Sequence, residues 1–126
     1  MKKFRFLEWN VYRDSQDLCK SVFDRAGSLP QQHRYGVGDQ LVRSCTSVIL
    51  NIAEGSGKTS DKELNRFLDI ALGSLYETLA GADMLRKNNF ITEESFLSVQ
   101  SAAAGMCDQL GGFKKSIRAR PVVGSV

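Results

Sequence analysis

The chain has 126 residues, of which 42% are hydrophobic and 25% charged, and its formal net charge is +3. This length fits one domain with a core of its own, and the composition is that of a globular rather than a disordered protein. No apolar stretch reaches the ~20 residues that span a bilayer, and no apolar run of signal-peptide length follows the basic first ten residues. We therefore expect a cytoplasmic protein with no membrane partner.

The first helix is predicted over residues 5–26. Apolar side chains recur there at steps of three and four residues, as on one face of an α-helix. Gly27 and Pro30 follow, in the order typical of a helix end. The apolar stripe consists of Trp9, Tyr12, Cys19, Val22, Phe23 and Ala26.

A second helix is predicted over residues 36–54. Its apolar face is broad enough to touch two neighbouring helices, as a bundle helix must. Gly55 follows, and glycine closes helices because it adopts the left-handed conformation without a clash. The face is formed by Leu41, Val42, Cys45, Val48, Ile49, Ile52 and Ala53.

The third helix, over residues 61–87, begins at a capping-box sequence. Ser60 is expected to accept a hydrogen bond from the amide of Glu63, whose carboxylate would return to the amide of Ser60. The preceding turn is therefore short, which makes the second and third helices antiparallel neighbours. Gly73 and Gly81 lie inside this helix, each costing about 1 kcal/mol of helix propensity relative to alanine. Close approach of another backbone or tolerance at the surface would explain them.

The fourth helix is predicted over residues 93–118, with Thr92 as its cap, and residues 121–126 as a loose tail. Its apolar seam repeats every seven residues, which predicts left-handed, nearly parallel packing. Four helices with short links predict an all-α fold, an antiparallel up-down-up-down four-helix bundle over residues 1–120. The seam is Phe96, Val99, Ala103, Met106, Leu110, Phe113 and Ile117.

The cysteines and the single histidine do not form a metal-binding pattern. Cys19, Cys45 and Cys107 are odd in number and lack metal-type spacing. Each falls on or beside an apolar stripe, so we expect buried thiols that pack as small hydrophobic groups. His33 is expected in a loop, with no cysteine or carboxylate at metal spacing. The sequence therefore predicts no metal site and no cofactor.

A search for catalytic motifs finds none. Residues 56–59 superficially match the end of a phosphate-binding loop, but the first glycine of that loop would stand at Ile52, on a helix. Asn51 and Glu54 lie on the last turns of a strongly apolar helix and need hydrogen-bond partners there if they are half-buried. Two interpretations stay open: they tie the following turn to its neighbours, or they form a ligand-binding corner.

Basic residues gather at one end of the predicted bundle, which we call the basic pole. The start of the first helix, the turn between the second and third, and the end of the fourth meet there. Lysine and arginine at such a pole would attract phosphate backbones, although cations at a helix end also complement its dipole. Acidic residues at the pole are Glu8, Glu54, Asp61, Glu63 and Asp108. The basic residues are Lys2, Lys3, Arg5, Lys58, Lys62, Lys114, Lys115, Arg118 and Arg120.

The middle of the chain resembles a known family. The most specific part is the stretch Asn51–Gly55, followed by Ser60 and Glu63 and then by Gly73-Ser74 in the next helix. With Trp9 in the first helix, these residues resemble the four-helix-bundle family of 23S rRNA intervening-sequence proteins. The similarity extends to Arg34-Tyr35-Gly36, Gln40-Leu41, Arg43-Ser44, Phe67-Leu68 and Ile70-Ala71.

The resemblance implies an antiparallel bundle that assembles as a homopentamer. It also implies kinship with the accessory proteins of diversity-generating retroelements, which are basic pentameric bundles that bind nucleic acid and a reverse transcriptase. Kinship in fold is an associational argument for function only.

Together these features predict a non-enzymatic, oligomeric helical-bundle protein that binds RNA or DNA through its basic pole. The alternative is a protein-interaction adaptor, which would hold a protein partner and have no nucleic-acid role. An enzyme would need convergent polar groups in a pocket, and the sequence does not display them.

Overall fold

A computed structural model describes residues 3–119; the predicted tail, 121–126, lies outside them. Within the described range the protein is all-α, with four long helices and no strand. They pack as a helical bundle around one core, in which Ile52, Leu68 and Met106 are fully shielded from water. No helix of this range is long and apolar enough to cross a membrane. The four are α1 (Asn10–Gly27), α2 (Asp39–Ser56), α3 (Asp61–Lys87) and α4 (Glu93–Arg118).

The start of the first helix differs from the prediction. The apolar pattern predicts a helix from residue 5, but Arg5–Glu8 form a separate 3-10 turn and α1 begins at Asn10. Trp9 between them has an extended backbone, with φ −76° and ψ 131°. Its ring lies 4.7 Å, between centroids, from that of Phe113 on α4. The break in the helix at Trp9 thus coincides with a contact between distant parts of the chain. The spacing of the neighbouring apolar residues does not indicate this break.

The second helical segment also starts elsewhere than at the predicted residue 36. Helical backbone begins at Gln31 and passes through a π-helical segment, Arg34–Gly38, into α2. His33 is therefore helical rather than in a loop, and its ring lies 5.1 Å from that of Phe90. A π-helical turn holds more residues than an α-helical turn, so the apolar period is interrupted there. The regular pattern becomes visible only beyond this segment.

Side-chain caps begin α3 and α4. The Ser60 hydroxyl accepts a hydrogen bond from the Glu63 amide at 3.1 Å, and Thr92 accepts from the Ser95 amide at 3.0 Å. The second half of the predicted capping box is wrong, because the Glu63 carboxylate accepts from Nε of Arg66 at 2.7 Å instead. The serine alone caps α3.

Hydroxyl groups connect α2 to α3 through a short polar ladder. The hydroxyls of Ser47 and Ser74 lie 2.7 Å apart, and the Thr78 hydroxyl donates to that of Ser44 at 2.8 Å. Thr78 and Ser44 are buried, at 0% and 4% exposure, so these bonds satisfy groups that water cannot reach. From Ser44 to Ser47 along α2, the partner on α3 changes from Thr78 to Ser74, so the residue numbers of the two helices run in opposite directions.

Two glycines allow α2 and α3 to come close, and a third does not contribute. A Cβ at Gly55 would lie 2.8 Å from Cβ of Phe67, and a Cβ at Gly81 would collide with the Leu41 side chain. At Gly73 a Cβ would meet nothing within 4 Å. Of the two explanations for the helix glycines, surface tolerance applies to Gly73; at Gly81 a side chain of α2, that of Leu41, comes close, and not a backbone.

Candidate nucleic-acid interface

Hydrogen bonds and a ring contact bring the three segments of the basic pole together. The Arg5 guanidinium donates to the carbonyl of Ser56 at 3.2 Å, which joins the N-terminal turn to the end of α2. Nζ of Lys114 donates to Asn65 at 2.8 Å, which joins the end of α4 to the start of α3. With the ring contact between Trp9, just before α1, and Phe113 on α4, these bonds gather all three segments at one end of the bundle.

Seven of the nine predicted basic residues are described; Lys2 and Arg120 lie outside the described range. Five of the seven have exposed side chains, and we call them the exposed basic set. They come from all three segments, so the exposed charge is not confined to one helix end. The set is Lys3, Lys58, Lys62, Lys115 and Arg118.

The other two basic residues are engaged inside the protein. Arg5 is half-buried, and besides its bond to the α2 carbonyl its guanidinium lies 5.3 Å from the ring centroid of Trp9. The Lys114 side chain is only 16% exposed and forms an ion pair with Asp69. Both residues hold helices together, which leaves them less available to an external phosphate.

A groove of about 1060 Å³ separates the N-terminal turn from the end of α2. Its cations are Lys3, Arg5 and Lys58, and its carboxylates are Glu54 and Asp61. The mixture attracts anions only modestly, because opposite charges nearby offset one another.

An exposed aromatic ring lies at this groove. Phe4 is 70% exposed and has a φ of 58°, in the left-handed region that non-glycine residues rarely adopt. Leu50, which is 60% exposed, also lines the groove. The groove therefore presents an exposed aromatic ring beside cations, and such rings in proteins can stack on unpaired bases.

Arg66 is a further basic residue at this end that the sequence prediction omits. Its guanidinium lies 4.6 Å from the ring centroid of Phe67, and Nζ of Lys58 lies 5.0 Å from the same ring. The hydrogen bond from Arg66 lowers the pKa of the Glu63 carboxyl. Both members of this pair are about half exposed, so the pair is weak and can exchange partners. Its position one helical turn after Lys62 is the sequence feature that could have identified Arg66 as part of the basic pole.

The residues of the sequence motif have separate roles. Nδ2 of Asn51 donates to the carbonyl of Ser47 at 2.8 Å and to its hydroxyl at 3.0 Å, and that hydroxyl meets Ser74. Glu54 is exposed beside the groove. Asn51 therefore supports the contact between α2 and α3, whereas Glu54 contributes charge to the surface.

A second groove, of about 670 Å³, lies between α3 and α4 and has no counterpart in the sequence prediction. At one side Arg86 donates to Asp83 at 2.5 Å and to Glu93 at 3.0 Å, and it lies 3.8 Å from the ring centroid of Phe96. The hydrogen bond to Asp83 raises the pKa of Arg86. Tyr76, 66% exposed, also lines the groove. Other lining residues are Leu75, Leu79, Ala80, Ala103, Ala104 and Cys107.

The thiol of Cys107 lines the second groove. Burial raises the pKa of the Cys107 thiol, and the charge of Asp108 raises it further, so the nucleophilic thiolate is disfavoured. Among residues 3–119, no three His, Cys, Asp or Glu side chains are placed to share a metal ion. The side chains present can contact phosphates, bases or apolar surfaces.

Comparison with solved structures finds the same fold in a protein with unknown function from the S23 ribosomal protein family of Bacteroides thetaiotaomicron. The TM-score is 0.77 and the sequence identity 24%, over 83% of this chain and 98% of that one. A search of curated proteins gives no match.

A family model supplies the assignment. The model for the 23S rRNA-intervening sequence protein matches residues 8–112, which include all of α1, α2 and α3 and most of α4. The match indicates no enzymatic family. The chain therefore belongs to the family of 23S rRNA-intervening sequence proteins.

Proposed function

We propose that this protein is a non-enzymatic, oligomeric helical bundle that binds RNA or DNA through its basic pole. The observation that carries the proposal is the exposed basic set, five cations from three segments gathered at one end of the bundle. Phosphate contacts of this kind supply most of the affinity of non-specific nucleic-acid binding. The exposed ring of Phe4 adds a surface on which a base can stack.

The proposal includes the antiparallel up-down-up-down arrangement and assembly into a homopentamer. The hydroxyl contacts between α2 and α3 support the antiparallel arrangement, because the residue numbers of the bonded partners run in opposite directions. The surface of α4 supports the second, because several of its exposed residues are small and would let another helix approach. A ring of five poles would multiply weak phosphate contacts through avidity. The small exposed residues are Ser98, Ser101, Ala102, Ala104, Gly105, Gly111 and Gly112.

We place this function in the cytoplasm, because all three cysteines are free thiols, as is usual in a reducing compartment. The kinship with retroelement accessory proteins stays a prediction.

The test is binding of a short unstructured RNA, and of DNA of the same sequence, measured by fluorescence anisotropy at several salt concentrations. Affinity should fall steeply with salt. The triple variant Lys58→Glu, Lys115→Glu, Arg118→Glu should lose most of it, and the salt slope should decrease by about 2, or about 0.7 for each lost contact. Lys114 is left intact because its change would also break an internal ion pair.

The matched control reverses three exposed cations away from the pole: Lys20→Glu, Arg43→Glu and Lys87→Glu. It changes the net charge equally, so it should retain a clearly higher affinity than the pole variant. Equal losses in both variants would show an effect of total charge and would contradict binding at the pole. Native mass, measured with and without RNA, reports the oligomer and its capture of nucleic acid.

The alternative function, a protein-interaction adaptor, is favoured by one observation. The groove between α3 and α4 is lined mainly by apolar side chains and has the exposed Tyr76 among them, as sites that bind partner helices do. Ala104→Arg would block this groove without touching the pole. Loss of a co-purifying protein in this variant after nuclease treatment, with RNA binding absent in the unmodified protein, would support the adaptor.

A further inference from the structure

Two cysteines from different helices meet in the core. Cys19 lies on α1 and Cys45 on α2, and their sulfur atoms are 2.9 Å apart. A disulfide bond is about 2.05 Å long, so the sulfurs need to approach each other by less than about 1 Å.

Little of either thiol is exposed to solvent. Cys19 is 2% exposed and Cys45 is 1% exposed. The Cys45 thiol also donates to the carbonyl of Val42 at 3.3 Å, which fixes its position in α2. Because the two sulfurs face each other in a closed core, the nearest reaction partner of either one is the other.

The third cysteine provides an internal comparison. Cys107 is half-buried on α4, beside the groove between α3 and α4. It is more accessible to a reagent than the other two, but among the three cysteines, all of which the structure describes, Cys19 and Cys45 are the two that meet.

We propose that Cys19 and Cys45 are a redox modification site, which forms an intramolecular disulfide when the protein meets a hydroperoxide. One sulfur, as thiolate, attacks a peroxide oxygen; the O–O bond breaks, and a sulfenic acid and an alcohol or water result. The second sulfur then attacks the sulfenic sulfur, forms the S–S bond and displaces water. The two thiol protons leave with the oxygens, and the hydroperoxide takes the two electrons.

The disulfide would join α1 to α2 across 26 positions of the chain. Closing such a loop restricts the unfolded chain and stabilises the folded one. Burial raises the pKa of the Cys45 thiol, so the reaction is expected to be slow in the folded state and faster when the core opens transiently. The oxidised form is therefore a long-lived, more stable record of exposure to peroxide.

The experiment uses the full chain, reduced, freed of reductant and treated with hydrogen peroxide under native conditions. Free thiols are then alkylated after denaturation, and the protein is digested with trypsin without reduction. Cys19 lies in the peptide 14–20, Cys45 in 44–58 and Cys107 in 88–114. We expect a cross-link between the first two peptides and a mass loss of about 2 Da, two hydrogen atoms, in the intact chain.

Cys107→Ser should form the same cross-link, whereas Cys45→Ser should not. The melting temperature of the oxidised wild-type chain should exceed that of the reduced chain by at least ~5 °C, and reductant should reverse this. The proposal is overturned if peptides 14–20 and 44–58 stay alkylated while Cys107 is oxidised, or if the cross-link joins two chains. Because the wild-type digest decides the matter, a variant that fails to fold does not affect the conclusion.

Discussion

The ammonium group of Lys114 lies against the carboxylate of Asp69 and joins the end of α4 to the first half of α3. Asn65 is a second acceptor for the same ammonium group. The end of α4 therefore contains two kinds of lysine: Lys114, which holds helices together, and Lys115, which faces water. Their charges are equal, and only their contacts distinguish them.

This distinction predicts that the same substitution affects stability at one position and RNA binding at the next. Lys114→Met should lower the free energy of unfolding by about 1 kcal/mol or less, because Asp69 is 56% exposed and water screens the pair. Lys115→Met should leave stability unchanged but weaken RNA binding more than Lys114→Met does. Urea denaturation and RNA titration of the two variants measure these effects. The reverse order in either experiment would contradict the assignment.

Two glycines inside the helices, Gly55 in α2 and Gly73 in α3, predict a second pair of variants. Gly55→Ala should destabilise the protein by about 1–3 kcal/mol, since the new Cβ would lie 2.8 Å from Phe67 Cβ. Gly73→Ala should stabilise it by about 0.5–1 kcal/mol, because there is open space at that site and alanine favours the helix. Urea midpoints of both variants, with helicity checked by circular dichroism, test the prediction. Equal effects would mean that the two helices do not touch at Gly55.

The cap of α3 predicts that its serine matters more than its glutamate. Ser60→Ala should cost about 1 kcal/mol, because the Glu63 amide loses its acceptor. Glu63→Gln should have a smaller effect, since the carboxylate pairs with Arg66 in solvent and does not cap. The pKa of Glu63 is lowered in the folded protein, so any stabilisation from its carboxylate is present at neutral pH and is lost as the pH falls. Denaturation at neutral and acidic pH checks both points.

The exposed aromatic ring at the pole predicts a preference for unpaired bases. Phe4→Ser should weaken binding to single-stranded RNA by about 1–3 kcal/mol if one base stacks on the ring. Binding to a duplex of matching charge should change much less, because paired bases are not free to stack. Phe23→Ser is the control, since Phe23 is 50% exposed and lies on α1, near its C-terminal end. A loss of similar size for single strands and duplexes would argue against stacking.

Local chemistry was sufficient to predict the second half of the bundle. The sequence pattern predicts a third helix from Asp61 and a fourth from Glu93, and the structure has α3 and α4 beginning at those residues. Both starts depend on a serine or threonine that caps its own helix. The seven-residue apolar repeat of α4 then coincides with its buried residues, among them Met106 and Leu110.

The starts of the first two helices depend on information that is not local. Trp9 is extended while its ring contacts Phe113, more than a hundred positions away in the sequence, and no neighbouring residue signals that contact. The segment Arg34–Gly38 changes the number of residues per turn, which hides the apolar period. The sequence shows which residues are charged but not what they contact, so it does not distinguish the paired Lys114 from the exposed Lys115.

The π-helical segment Arg34–Gly38 gives the chain a position where its length can vary by one residue. A π turn is equivalent to an α-helical turn with one residue inserted. Removing that residue would restore regular α-helical winding, and the turns on either side would keep their orientation because the π turn alone absorbs the extra residue. The core contacts of α2 and the contact between the rings of His33 and Phe90 would both be preserved. The extra residue therefore changes the surface of this one turn while the bundle stays the same.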